Sequence, residues 1–179
     1  PGRLVSACVV SANNGRNFSL SKSIDLGGHG DHAGAIEPAV LELQDGRIWM
    51  LIRTTKGEFF EASSSDHGMT WSEARPSGIQ SPSAPCHITR LDSGRLVLVW
   101  NNTMNTTKAR DALSVALSED DGKTWSEPII AVSGEQVSYP YISEPTPGEL
   151  LISFNYVRSG WRDVKPRLLR VVEQTLLEN

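Results

Sequence analysis

The sequence predicts an all-β fold assembled from repeated four-stranded blades, and three observations predict it. Short apolar runs replace helical periodicity, at Leu4–Val10, Ala39–Leu43, Ile48–Ile52, Ile88–Leu91, Leu96–Trp100, Leu113–Leu117, Leu150–Phe154 and Leu168–Val172. Each has the length of a strand and is bounded by Gly, Pro, Asp, Asn or Ser. Hairpin turns punctuate the runs: Asp45-Gly46 joins two, Ser93-Gly94 joins the next two, and Pro147-Gly148 lies in a third such gap. Glycine supplies the positive φ that tight hairpins need. The third observation is a motif that returns at a fixed period.

That motif is S-x-D-x-G-x-x-W. It reads Ser64-Ser65-Asp66-His67-Gly68-Met69-Thr70-Trp71, and again Ser118-Glu119-Asp120-Asp121-Gly122-Lys123-Thr124-Trp125. A weaker copy, Ser11-Ala12-Asn13-Asn14-Gly15-Arg16-Asn17-Phe18, keeps Ser and Gly but has Asn for Asp and Phe for Trp. The copies begin at residues 11, 64 and 118, so they are 53 and 54 residues apart. In an all-β chain a period of this size points to propeller blades. The residue types are those of a closed turn. Ser and Asp side chains bond nearby backbone amides, Gly takes the conformation other residues resist, and Trp packs beneath the turn. Ser64, Asp66, Gly68, Trp71, Ser118, Asp120, Gly122 and Trp125 are therefore read as determinants of the fold rather than of chemistry.

Composition narrows the function. The chain has 179 residues, is 39% hydrophobic and 21% charged, and carries a net charge of −4. These values describe a globular chain, and the charge argues against a nucleic-acid partner. No apolar run approaches the length needed to span a bilayer, so no membrane partner is expected. The two cysteines, Cys8 and Cys86, sit among small or apolar residues and read as buried thiols. No phosphate loop or nucleotide motif appears, and no cofactor is expected. His29-Gly30-Asp31-His32 is too sparse a ligand set for a metal site, and none is expected. His67 occupies a variable position of the motif and reads as solvated. Asn17, Asn101 and Asn105 begin N-x-S/T sequons. The tail Glu173–Asn179 forms either a short helix or a closing strand.

The repeated motif resembles the Asp-box, or BNR, repeat of sialidases, and from Ile36 onward the resemblance extends to most of the chain. Ile36-Glu37-Pro38-Ala39-Val40-Leu41-Glu42-Leu43-Gln44-Asp45-Gly46-Arg47 is similar to the family segment that carries a catalytic glutamate ahead of a hairpin. Trp49-Met50-Leu51-Ile52-Arg53 ends in arginine, as does the strand bearing the family's second binding arginine. Arg110, ahead of the motif at Ser118, matches the third. Ser138-Tyr139-Pro140-Tyr141-Ile142 resembles the strand that begins with a nucleophilic tyrosine. The resemblance thus implies a retaining exo-sialidase with Tyr139 as nucleophile, Glu37 as its base, and Arg53 and Arg110 gripping the substrate acid.

The implied chemistry is coherent. Arginine forks bind a carboxylate in bidentate fashion. A carboxylate nucleophile is repelled by an acidic sugar, whereas a neutral tyrosine hydroxyl is not, and with an ordinary pKa of about 10 it needs a base. Tyrosine nucleophiles are a known exception to two-carboxylate glycoside hydrolysis. Each residue also has a plainer reading. Glu37 is a loop carboxylate before Pro38, Arg53 a strand-end arginine and Arg110 part of a polar loop. Tyr141, two residues beyond Tyr139 and on the same side of an extended strand, competes with it for the role.

The family fold is a six-bladed propeller, of which this chain holds about three blades: the end of one in 1–35, then 36–84, 85–135 and 136–179. The family's first binding arginine and its acid aspartate find no match, and Asn155 stands where a supporting glutamate is expected. The resemblance therefore implies a C-terminal half completed by an N-terminal half or by a second copy of itself, acting on a terminal acidic sugar in a secreted or periplasmic setting. The alternatives are a non-catalytic propeller that binds glycans or proteins, and a hydrolase or lyase of another acidic sugar.

Overall fold

Strands, in short antiparallel meanders, make up nearly all the regular structure of the computed structural model, which describes residues 3–29, 32–102, 110–158 and 163–178. The chain divides into two compact units, Pro1–Ile79 and Gln80–Asn179.

The first unit begins with a two-stranded sheet, β1 (Val9–Val10) and β2 (Ser19–Leu20). A four-stranded sheet follows, β3 (Ile36–Glu42), β4 (Ile48–Arg53), β5 (Glu58–Ser64) and β6 (Arg75–Gln80), with sequence neighbours paired. The core joins Met50, Ile52 and Ala62 of this sheet to Ile24 and Ala35, with Trp71 and Cys8 packed at its margin. The apolar run at Leu4–Val10 is only partly a strand. Leu4 and Ser6 make isolated bridges to Gly34 and Ile24, and pairing as a strand starts at Val9.

The second unit holds β7 (His87–Arg90), β8 (Leu96–Trp100), β9 (Ala112–Ser118) and β10 (Ile129–Ser133) in one sheet. A three-stranded sheet contains β11 (Gln136–Thr146), β12 (Glu149–Arg158) and β13 (Asp163–Val172). Strand alternation places Val97, Val99, Leu113, Val115 and Leu117 on one face of the first sheet, packed against Val137, Leu150, Ile152 and Phe154 of the second. Full burial of each such side chain contributes about 1.5–3 kcal/mol. The tail forms α1 (Glu173–Leu177), the first of its two expected forms. Leu176 joins the core, and Glu173 accepts bonds from Ser93 Oγ at 2.6 Å and Arg95 Nη1 at 3.4 Å. Among the described residues, no helix is long and apolar enough to cross a membrane.

The three copies of the repeated turn close with one hydrogen-bond pattern. Ser64 Oγ accepts from the Gly68 N–H at 2.8 Å, and Asp66 Oδ1 accepts from the Thr70 N–H at 2.9 Å. The second copy repeats both bonds at 2.8 Å, from Gly122 to Ser118 and from Thr124 to Asp120. The weaker copy keeps both as well, from Gly15 to Ser11 and from Asn17 to Asn13, because an amide oxygen accepts as a carboxylate does. The stronger copies add a bond from the threonine hydroxyl to the second carboxylate oxygen, 2.6 Å in each. His67 is exposed and lies at φ 57°, one residue before Gly68 at φ 87°.

Candidate functional site

In the first unit, Glu37 and Arg53 come together. Ile36 pairs with Arg53 and Ala39 with Leu51, so Glu37 and Pro38 on β3 oppose the single residue Ile52 on β4. This is a β-bulge, a device that bends a strand and re-aims a side chain. Glu37 sits in it at φ 44°. Arg53 ends β4 with its side chain 3% exposed, and Nη1 donates to Glu37 Oε2 at 2.5 Å. The carboxylate side is more open, at 41%. Arg53 is thus a buried member of an ion pair rather than a loose strand-end arginine.

In the second unit, Arg110 and Tyr139 come together. The Arg110 carbonyl accepts from the Val137 N–H at 2.6 Å, and Arg110 Nη2 donates to the Ser83 carbonyl at 2.6 Å. Its guanidinium carbon then lies 5.7 Å from the centre of the Tyr139 ring. Tyr139 also stands in a bulge. Ser138 pairs with Asn155 and Tyr141 with Ser153, so Tyr139 and Pro140 oppose the single residue Phe154. Tyr139 has φ 57°.

The bulge also separates the two tyrosines. Alternation along an extended strand puts residues 139 and 141 on one side, but it does not hold across the extra residue. Tyr139 meets Arg110, whereas Tyr141 packs on His87, with ring centroids 4.4 Å apart and planes inclined by 50°. His87 Nδ1 faces the Ile142 N–H at 3.3 Å, and burial pulls the imidazole below its usual pKa, favouring the neutral ring.

Sequence reasoning missed Asn101 as a structural residue. Its side chain is buried, and Nδ2 donates to the carbonyls of Ala112 and Val137 at 2.7 and 2.8 Å. It ties β9 to β11 close to Arg110. Buried and so engaged, it is unsuited to carry a glycan, despite its sequon. Asn105, Gly30 and Asp31 lie outside the described residues. Burial pushes the Cys86 thiol up to about 12 and raises that of half-buried Cys8. Asn155 faces Ser138 across β11 and β12, as the register of that pair requires.

A family model described as a BNR repeat-like domain matches residues 2–152. No curated protein matches the sequence. Among solved structures, NanB sialidase of Streptococcus pneumoniae is 26% identical with a TM-score of 0.64, and the match covers 84% of this chain and 24% of that one. The intramolecular trans-sialidase of Ruminococcus gnavus is 19% identical with a TM-score of 0.68, covering 94% of this chain and 38% of that one. A Dyadobacter fermentans protein of unknown function is 18% identical with a TM-score of 0.68, covering 89% and 43%. This chain therefore spans less than half the length of each of these three proteins.

Proposed function

We propose, since the chain belongs to the BNR repeat-like domain family of the sialidase superfamily, that it supplies part of a retaining exo-sialidase site acting on a terminal acidic sugar. The sheets are read as blades of a six-bladed propeller, about three of them in this chain, with the repeated turns as its Asp-boxes. In this reading Arg53 and Arg110 bind the sugar carboxylate. The Tyr139 hydroxyl attacks the anomeric carbon, its proton passes to Glu37, and the bond to the leaving oxygen breaks. Water then attacks the anomeric carbon and gives a proton to the group that had protonated the leaving oxygen, the bond to the Tyr139 oxygen breaks as Glu37 returns the proton to it, and the free sugar leaves. The acid that protonates the leaving oxygen, and a further arginine, would come from additional chain or from a second copy.

The observation that carries the reading is the backbone shared by Glu37 and Tyr139. Both occupy the left-handed region, both stand in two-against-one bulges, and both precede proline. A residue before proline is normally held extended, and non-glycine residues seldom take positive φ. Strain of this kind gathers at functional sites, where the surroundings enforce it. A second reading, a non-catalytic glycan-binding propeller, is favoured by Asn155, which stands opposite Ser138 where the family resemblance implies a glutamate.

The test is release of 4-methylumbelliferone from its sialic acid glycoside by this chain and by its Tyr139→Phe variant. Release by the parent and loss in the variant support the hydrolase. No release by folded protein, together with saturable binding of sialic acid, supports the binding module.

A further inference from the structure

The second unit carries another cationic cluster that the proposed reaction leaves unused. Tyr156 projects from β12, and a Cβ added at Gly134 would come within 2.5 Å of its ring, so the ring occupies the space a side chain would take. Two arginines flank that ring. Arg158 lies two residues beyond Tyr156 on the same face of β12, and Arg167 on β13 pairs with Phe154, two residues before it. Their guanidinium carbons stand 5.4 and 5.9 Å from the ring centre. Neither makes an ion pair among the described residues, and the nearby Asp163 carboxylate goes instead to Lys165, at 3.5 Å.

We infer that Tyr156, Arg158 and Arg167 form a second oxyanion site, for the carboxylate of a further acidic sugar in the same glycan, an inference that rests on the sialidase reading above. A guanidinium held by an aromatic ring is already ordered and keeps N–H edges for a carboxylate. Two like charges near one ring, in a chain of net charge −4, are each stabilised by an anion bound beside that ring. The segment that seats the ring also reaches Arg110: the Gly134 N–H donates to the Asp111 carbonyl, and Val137, the register partner of Tyr156, donates to that of Arg110. Backbone bonds thus tie the segment that seats Tyr156 to the residues that carry Arg110.

The experiment follows backbone amide NMR signals of the chain during titration with a sulfur-linked, hydrolysis-resistant α2,8 disaccharide of sialic acid. The single sugar, lactose and inorganic phosphate serve as comparisons. The expected result is saturable shifts at Gly134 and Val157 with the disaccharide, at concentrations where the three comparisons leave them unmoved. R158Q/R167Q is expected to weaken this binding at least tenfold in an otherwise dispersed spectrum, and G134A to weaken it by displacing the ring. Unmoved Gly134 and Val157 signals in the parent, unchanged affinity in R158Q/R167Q, or equal shifts with phosphate would each overturn the inference. Hydrolysis of the fluorogenic glycoside reports on the first reading separately. Hydrolysis with a silent Gly134 removes the second site alone, and Gly134 shifts without hydrolysis leave that site standing while the catalytic reading fails.

Discussion

Glu37 and Tyr139 adopt the same unusual backbone: φ is 44° at one and 57° at the other, and each is followed by proline. The left-handed conformation costs an L-residue about 1–2 kcal/mol relative to its preferred regions. Glycine escapes most of that cost. Tyr139→Gly is therefore expected to unfold at a higher temperature than Tyr139→Ala, by a difference equivalent to about 1 kcal/mol. Both variants lose the ring beside Arg110, so the comparison isolates the backbone. Equal melting temperatures in calorimetry would remove strain as the signature of this site.

The Glu37–Arg53 pair gives a second prediction, because its partners are unequally buried. Water can reach the carboxylate of Glu37, whereas Arg53 is 3% exposed. Glu37→Gln removes the charge facing a buried guanidinium and is expected to cost about 1–3 kcal/mol. If Glu37 is the base for Tyr139, the same change lowers turnover about 10²- to 10⁴-fold. Arg53→Lys keeps the charge but loses the planar fork, and is expected to raise KM more than it changes melting temperature. Fluorogenic kinetics paired with thermal melts separate these effects. A Glu37→Gln enzyme with full turnover would reduce the carboxylate to a structural partner of Arg53.

The strands with continuous apolar runs were legible because both their faces are covered. Leu96–Trp100 and Ala112–Ser118 are buried throughout. Arg75–Gln80 was not legible, since its mostly exposed residues give no period, and Gln136–Thr146 hides two prolines and a bulge inside a strand. The repeated turn was readable because its bonds run between residues two to four apart. Even there, Thr70 and Thr124 escaped notice, although each bonds its aspartate twice. At the candidate site the residue types were visible, but the pairing of Glu37 with Arg53 depends on strand register and a bulge. Neither leaves a mark on a single sequence. The contact between His87 and Tyr141 joins residues in different sheets, so periodicity could not have found it.

The cysteines should differ in reactivity. Cys86 is buried, with its thiol pushed up to about 12, and Cys8 is raised but half-buried. Since the thiolate is the nucleophile, Ellman's reagent at pH 8 is expected to modify Cys8 slowly and Cys86 only after denaturation. Rapid modification of both in folded protein would show that the core around Cys86 opens readily.

The repeated turns set the response to acid. Asp66 is held at about 2, chiefly by the Thr70 hydroxyl, and Asp120 at about 2 by that of Thr124. An unfolded aspartate titrates near 3.9. Because the folded values are depressed, this contribution to stability is fully present above the unfolded value. It is lost as pH falls from about 4 through about 2, where the folded carboxylates take up their protons. Thr70→Val and Thr124→Val remove the leading cause of the depression while preserving the backbone bonds. The double variant is therefore expected to be less stable than the parent near neutral pH and to show a shallower loss of stability between pH 4 and 2. Urea denaturation at pH 7, 4 and 3 measures both quantities. Parallel stability curves for parent and variant across that range would mean that the threonine hydroxyls do not set the acid response, and that it arises from carboxylates elsewhere in the two units.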